Sequence, residues 1–361
     1  MAEAADRFIL LTTGIRGADG LSTLSRQYLH ALAALARQRG AALEVWSLGD
    51  AGSDAEMPSD VRVRAASGSH WRFVWLALRA GRVSRGSLVV VLHAHLLPVA
   101  LPLMARGVRV VAVLIGVEVW GTLRPLVRLG LRGAWRVLSI SGATRDRFKS
   151  AHPEFGNLPV TVCEPSVPPE SPAGAEGSGL VVAGGYALIV GRMSAGERYK
   201  GHDVLLDVWP RVRAAVPTAE LLVVGTGDDA ERLRGKAGDG VRFAGGLLAS
   251  QLAAAYRDAA FFAMPSSGEG FGLVYLEAMR AGKACLAAPG AAEEILRDGV
   301  SGVIVDPSDR DGLVDALVRL FRDRAWRERL GGAGRRIVEE RFTEAHMIKR
   351  LQVGLGLTAE G

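Results

Sequence analysis

Cysteine is scarce in this chain, with Cys163 and Cys285 the only two in 361 residues. They lie far apart and lack metal-ligand spacing, which excludes a disulfide framework and a thiolate metal cluster and suits a reducing compartment. Long apolar runs are as rare. Residues 86–105 are free of formal charge and reach membrane-spanning length, but two histidines and two prolines interrupt them. They read as a buried strand over 87–92 followed by a buried helix. Residues 8–13 are too short for a signal-peptide core and suit a first strand, and no secretion signal is evident. The sequence also has no internal repeat, no low-complexity tract and no recognised nucleic-acid module, and its arginines are dispersed, so no nucleic-acid partner is expected. The acid-x-acid pattern Asp309-Arg-Asp311 follows a turn and precedes an apolar-periodic helix. It reads as a helix cap rather than a metal ligand pair, so no metal is expected.

What is present is a long, apolar, alternating chain. The length fits two domains, and an apolar content of 49% with a mean hydropathy of +0.18 indicates well-filled cores. Apolar strands near 7–13, 42–47, 61–65, 87–92, 109–115 and 136–140 alternate with helix-like segments, the βαβ pattern of a parallel sheet. Composition then shifts over 151–178 to a proline-rich stretch. A second alternation follows, with strands near 186–191, 219–225, 241–243, 260–265, 284–287 and 302–305. The expected architecture is α/β: two Rossmann-like domains facing across a cleft, at 1–165 and 183–341, joined by a linker at 166–182. Charge divides unevenly. Residues 1–150 hold 20 Lys and Arg against 10 Asp and Glu, and the rest hold 24 against 28. The basic half suits an anionic surface or acceptor.

The most informative segment is Pro265-Ser-Ser-Gly-Glu-Gly-Phe-Gly-Leu-Val-Tyr-Leu-Glu-Ala-Met-Arg-Ala-Gly-Lys283, which follows the apolar strand Ala259-Ala-Phe-Phe-Ala-Met264. Gly268, Gly270 and Gly272 allow close backbone approach, and the free amides of the helix that follows point at whatever binds there. An anion such as a diphosphate fits. Glu269 and Glu277 need a different partner, because carboxylates repel phosphate but accept hydrogen bonds from sugar hydroxyls. Together these features describe a site for a nucleotide-sugar. The plainer alternative is a capped helix with a solvated glutamate, and the apolar neighbours of Glu277 weigh against it. Upstream, Arg192 ends a strand and Lys200 opens a helix, where a cation opposes the macrodipole unless an anion is also bound. Two such cations neutralise charge on a departing diphosphate.

The segment resembles glycosyltransferase family 4, the retaining enzymes of GT-B fold. The similarity extends through Val190-Gly-Arg192, Glu197-Arg-Tyr-Lys-Gly-His-Asp203, Val224-Gly-Thr-Gly-Asp228, Val241-Arg-Phe-Ala-Gly245, Glu293-Glu-Ile-Leu296 and Ser301-Gly-Val-Ile-Val-Asp-Pro307. The resemblance implies sugar transfer from a UDP- or GDP-sugar, with retention of anomeric configuration and no metal or other cofactor. It implies that Glu277 holds the ribose, Glu269 the donor sugar, and Arg192 and Lys200 the diphosphate, with the amides of Gly270, Phe271, Gly272 and Leu273 on sugar and phosphate oxygens. Glu269, Arg192 and Lys200 are then the catalytic set. The glycine-rich first loop, Gly14-Ile-Arg-Gly17-Ala-Asp-Gly20, is also similar, with Gly17 over the donor. By the same resemblance the final segment, 342–361, carries a helix that crosses back to the first domain.

The related enzymes often carry a histidine just before the glycine of Gly-x-Glu-x-Trp. Here Ile115 stands there, in Leu114-Ile115-Gly116-Val117-Glu118-Val119-Trp120. His95 and Glu118, at strand ends, are the acceptor candidates. The acceptor expected is a glycan, lipid-linked or cell-surface polysaccharide intermediate. Arg124, Arg128, Arg132 and Arg136 recur every fourth residue beside Leu123, Val127 and Leu131, which suits peripheral contact with an anionic membrane. The aromatics of Trp71-Arg-Phe-Val-Trp-Leu-Ala-Leu-Arg79 read as core. These expectations place the protein in the cytoplasm, peripherally on the inner face of the membrane. Two alternatives stand beside this reading. Gly225-Thr-Gly227-Asp-Asp-Ala230 approaches a dinucleotide fingerprint and suggests a NAD-dependent oxidoreductase, and the missing histidine suggests a non-catalytic sugar-nucleotide-binding protein.

Overall fold

The computed structural model describes residues 6–17, 19–50, 61–78, 83–167 and 185–357. They fall into two units, Met1–Ser166 with Glu344–Gly361, and Val167–Thr343. Of the expected linker, residues 168–182 lie outside the described residues.

In the first unit, β1 (Arg7–Thr12), β2 (Ala42–Ser47), β3 (Val61–Ala65), β4 (Ser87–Leu92), β5 (Arg109–Leu114), β6 (Arg136–Ser139) and β7 (Val160–Val162) form one parallel sheet, ordered β3-β2-β1-β4-β5-β6-β7. Between them run α1 (Gly20–Arg39), α2 (His70–Leu78), α3 (Leu97–Ala105), α4 (Pro125–Gly133) and α5 (Gly142–Ala151). The uncharged stretch at 86–105 resolves into β4 and α3. Every residue of β4 is buried, as a parallel strand covered on both faces requires. Among the described residues no helix is long and apolar enough to cross a membrane.

One expectation needs correction. The stretch beginning at residue 151 is not all linker, because Pro153–Phe155 forms a 3-10 turn and β7 pairs with β6. A three-residue edge strand between Pro159 and Pro165 gives almost no periodic signal. Of the arginine series, Arg124 is the N-cap of α4, Arg128 and Arg132 lie on that helix, and Arg136 opens β6.

The second unit has the parallel order β10-β9-β8-β11-β12-β13, from β8 (Ala187–Val190), β9 (Leu221–Val224), β10 (Val241–Gly245), β11 (Phe261–Met264), β12 (Cys285–Ala287) and β13 (Gly302–Ile304). Its helices are α6 (His202–Ala215), α7 (Ala230–Lys236), α8 (Ala249–Asp258), α9 (Leu273–Arg280), α10 (Arg310–Arg322) and α11 (Arg324–Arg341). Asp309 caps α10 by accepting from the Gly312 amide at 2.9 Å. The last helix, α12 (Glu344–Gly354), belongs to the first unit and packs on α1. Gly354 leaves room there for Leu138, whose Cδ2 is 2.9 Å from where a Cβ would lie.

Candidate functional site

In an open parallel sheet, ligands bind beyond the carboxyl ends of the strands, where the strand order reverses. In the second unit that point lies between β8 and β11. The loops leaving these two strands carry the residues singled out above.

The loop after β8 is anchored by backbone packing. The Met193 amide donates to Thr226 O at 2.9 Å, and the Ala195 amide to Asp228 Oδ1 at 3.0 Å. A Cβ on Gly225 would fall 2.0 Å from Gly191 O, and one on Gly227 1.9 Å from Met193 O. These glycines therefore admit a neighbouring backbone rather than a pyrophosphate, which removes the feature on which the nicotinamide reading stood.

On that loop the Nε of Arg192 donates to Glu197 Oε2 at 3.1 Å, and Nη2 pairs with Glu197 Oε1. Lys200 ends the 3-10 segment Ala195–Lys200 rather than opening α6, because Gly201 (φ +86°) turns the chain before His202. Its Nζ lies 3.0 Å from Glu269 Oε1, with the two side chains only 17% and 16% exposed. Ser266 Oγ donates to the same oxygen at 3.1 Å. The structure thus joins Lys200 to Glu269 directly, across 69 residues of sequence. Tyr199, alongside, has its phenol pKa raised by burial and by the carboxylates of Glu197 and Glu269.

Gly270, Phe271, Gly272 and Leu273 form the entry to α9. Gly272 has φ +96°, and a Cβ there would lie 2.4 Å from Tyr275 Cδ2, so both conformation and space call for glycine. No side chain caps this end, although the Tyr275 amide donates to Gly272 O at 3.0 Å, so the positive end of the dipole remains a favourable place for an anion. The Phe271 side chain is buried against Phe342, ring centroids 5.9 Å apart. Gly268 serves a different purpose from the one its pattern suggested. A Cβ there would meet Tyr199 Cδ2 at 2.6 Å, so its smallness admits a tyrosine. Glu277 stands on α9 half-buried and accepts from the hydroxyl of Tyr256 at 2.8 Å. Sequence reasoning missed Tyr256 and Ser266 and gave Glu197 no role. Glu197 lies in a quoted motif and could have been found. Tyr256 had no signal beyond a polar tip in an apolar helix.

Gly17, His95 and Glu118 belong to the first unit. Gly17 follows β1, its carbonyl accepts from Arg26 Nη1 at 2.9 Å, and a Cβ on it would meet Ser22 Oγ at 2.4 Å. The loop is tied further by Asp50, which accepts from the Ile15 and Arg16 amides at 2.9 and 3.3 Å. His93 adopts φ +113° at the end of β4, a sparsely populated conformation for a residue with a Cβ. Its Nδ1 accepts from the His95 amide at 3.3 Å, and the two rings meet edge to face at 5.0 Å. Burial and the neighbouring His95 bring the His93 pKa down to about 4, and burial with Arg124 lowers that of His95. Glu118 turns onto its own loop, with Oε1 accepting from the Ile115 amide at 2.6 Å, while burial raises its pKa.

The surface of this unit departs from expectation twice. Leu123, Val127 and Leu131 are core residues, and Leu126 and Leu129 are the exposed leucines of α4. On α2, Phe73 and Ala77 turn inward, leaving Trp71 85% and Trp75 49% exposed with Leu78 beside them. The 3.6-residue period explains this: positions 71, 75 and 78 share a face opposite 73 and 77.

Two parallel-sheet α/β units, the second with cation-bearing and glutamate-bearing loops at its switch point, define the class as GT-B. Solved structures of that fold are similar over the whole chain. Anabaena HepE in complex with UDP and glucose has TM-score 0.74 at 19% identity, covering 98% of this chain and 100% of that one. Sucrose-phosphate synthase from Thermosynechococcus elongatus has TM-score 0.75 at 21% identity, with the same coverage. The family described as glycosyl transferases group 1 matches residues 184–323. A GDP-mannose-dependent monoacylated alpha-(1-6)-phosphatidylinositol monomannoside mannosyltransferase of Corynebacterium glutamicum is 33% identical over 68% of this chain and 70% of its own length. A phosphatidyl-myo-inositol mannosyltransferase of Mycobacterium leprae is 41% identical over 42% of this chain, and the match spans 41% of that relative's length. The chain belongs to the group 1 glycosyl transferases, of family 4 type.

Proposed function

We propose that the protein transfers mannose from GDP-mannose to a phosphatidylinositol-type lipid acceptor, with retention of configuration. The observation that carries the reading is the joined Lys200–Glu269–Ser266 cluster beside the uncapped start of α9, at the switch point of the second sheet. The donor base and sugar are supported by the GDP-mannose dependence stated for the Corynebacterium relative, and the acceptor class by its phosphatidylinositol monomannoside.

In this reading Arg192, Lys200 and the α9 amides take the diphosphate, Glu277 the ribose hydroxyls and Glu269 the mannose hydroxyls. Departure of the diphosphate breaks the bond from the anomeric carbon to the phosphate oxygen. The acceptor hydroxyl bonds to that carbon on the same face, and its proton passes to the departing phosphate, so that GDP and the mannosylated lipid are formed. Side-chain cations and amides supply the charge neutralisation that a divalent metal would otherwise provide. His95 and Glu118 are the acceptor candidates in this reading.

Lipid access would come through the first unit. From residue 61 to 117 the sequence holds eight arginines and no acid. On α2, within that span, Trp71, Trp75 and Leu78 are exposed. An aromatic face in a basic surround suits peripheral contact with the anionic inner leaflet. The test is transfer of radiolabelled mannose from GDP-mannose into extracted lipid, using phosphatidylinositol vesicles. The native chain yields labelled lipid, and Lys200→Ala and Glu269→Gln lower the rate by roughly a hundredfold or more. Labelling from UDP-sugars alone would contradict the donor. Nucleotide binding without transfer to any acceptor would favour the non-catalytic reading to which Ile115 points.

A further inference from the structure

We infer that Tyr256 is a positioning residue that sets the orientation of Glu277 and thereby the enzyme's discrimination for ribose hydroxyls on the donor nucleotide. The inference rests on the proposed role of Glu277. Tyr256 lies near the end of α8, is 3% exposed, and packs against Phe262 of β11 with ring centroids 5.9 Å apart. Phe262 in turn meets Tyr275 of α9 edge to face at 5.6 Å, and the Tyr275 hydroxyl donates to Met264 O at 2.5 Å. This stack packs the Tyr256 ring on the sheet, and its hydroxyl donates to Glu277 Oε2 at 2.8 Å.

A carboxylate on a helix normally rotates among several rotamers, and fixing it costs side-chain entropy when a ligand binds. With Oε2 held from inside the fold, that cost has already been met before the nucleotide arrives. Burial, and next the adjoining carboxylate, push the phenol pKa well up, so Tyr256 keeps its proton and remains a donor across the working range. A phenol that donates to one carboxylate oxygen also fixes the plane in which that group presents its lone pairs to a diol. The same carboxylate left loose would still accept from a hydroxyl, but with less preference for two adjacent ones.

The experiment measures affinity for GDP and UDP and for their 2′,3′-dideoxy counterparts, by calorimetry, in the native chain, Tyr256→Phe and Tyr186→Phe. Tyr186 is a buried tyrosine whose hydroxyl donates to Ala255 O of the same helix at 2.9 Å, so its replacement reports a general loosening of α8. The native chain is expected to bind the ribose nucleotide about tenfold or more tightly than the dideoxy form. In Tyr256→Phe that ratio falls several-fold with dideoxy affinity unchanged, and in Tyr186→Phe the ratio is preserved. A native ratio near one would overturn the role of Glu277. A normal native ratio that persists in Tyr256→Phe, or that falls equally in Tyr186→Phe, would overturn the role of Tyr256 and leave the donor site standing.

Discussion

His202, the first residue of α6, is 5% exposed, and its Nε2 is buried with no hydrogen-bond partner. Burial, and next the Lys200 ammonium, bring its pKa from 6.5 to about 4. The folded state therefore prefers the neutral ring. Its contribution is fully present above pH 6.5 and is lost as pH falls from 6.5 toward 4, by about 3 kcal/mol over the window at most. Urea unfolding at a series of pH values should show stability falling more steeply there in the native chain than in His202→Gln. Parallel curves would contradict the assignment. The structure joins Lys200 to Glu269, and at this scale the sequence made these two, with Glu277 and Arg192, conspicuous candidates through glycine spacing and strand ends. It did not reveal Tyr256 or the Tyr199 ring that fills the space at Gly268, since those contacts join residues far apart in the chain.

At the scale of elements, α2 makes the sharpest claim. Its inward residues Phe73 and Ala77 hold it to the core, while Trp71 and Leu78 are largely exposed and Trp75 is half exposed. Exposed positions contribute little to stability, so Trp71→Ser with Trp75→Ser should leave the melting temperature nearly unchanged. Binding to vesicles rich in anionic lipid, followed by cosedimentation, should fall roughly tenfold, and binding by the native chain should weaken with salt. Unaltered vesicle binding by the double variant would exclude this face as the contact. The segment was read as core because aromatics usually are. The period that separates 71, 75 and 78 from 73 and 77 was already in the sequence, but which of the two faces turns inward depends on α3 and β2, against which α2 packs. The strands were easier: β4, β5, β8 and β11 are short apolar runs with Gly, Pro or charge nearby, and β7 escaped because three residues carry no period.

For the whole molecule, strand-helix alternation is enough to imply two parallel sheets, and both have the strand order of a Rossmann-type sheet with its reversal beside the central strand. Order within a sheet is tertiary information, which alternation alone does not contain. The placement of α12 with the first unit likewise rests on packing against α1, as at Gly354 over Leu138, and helical periodicity in 344–354 is silent about where that helix goes. The central claim is that the switch point of the second sheet binds a nucleoside diphosphate through Lys200 and its neighbours. The most direct test is thermal unfolding of the native chain and of Lys200→Ala against GDP, UDP and ADP. The native chain should be stabilised by roughly 2.7 kcal/mol in GDP at a hundred times its dissociation constant, with that gain largely lost in Lys200→Ala. No stabilisation by any of the three nucleotides, or the same stabilisation in both chains, would contradict the account.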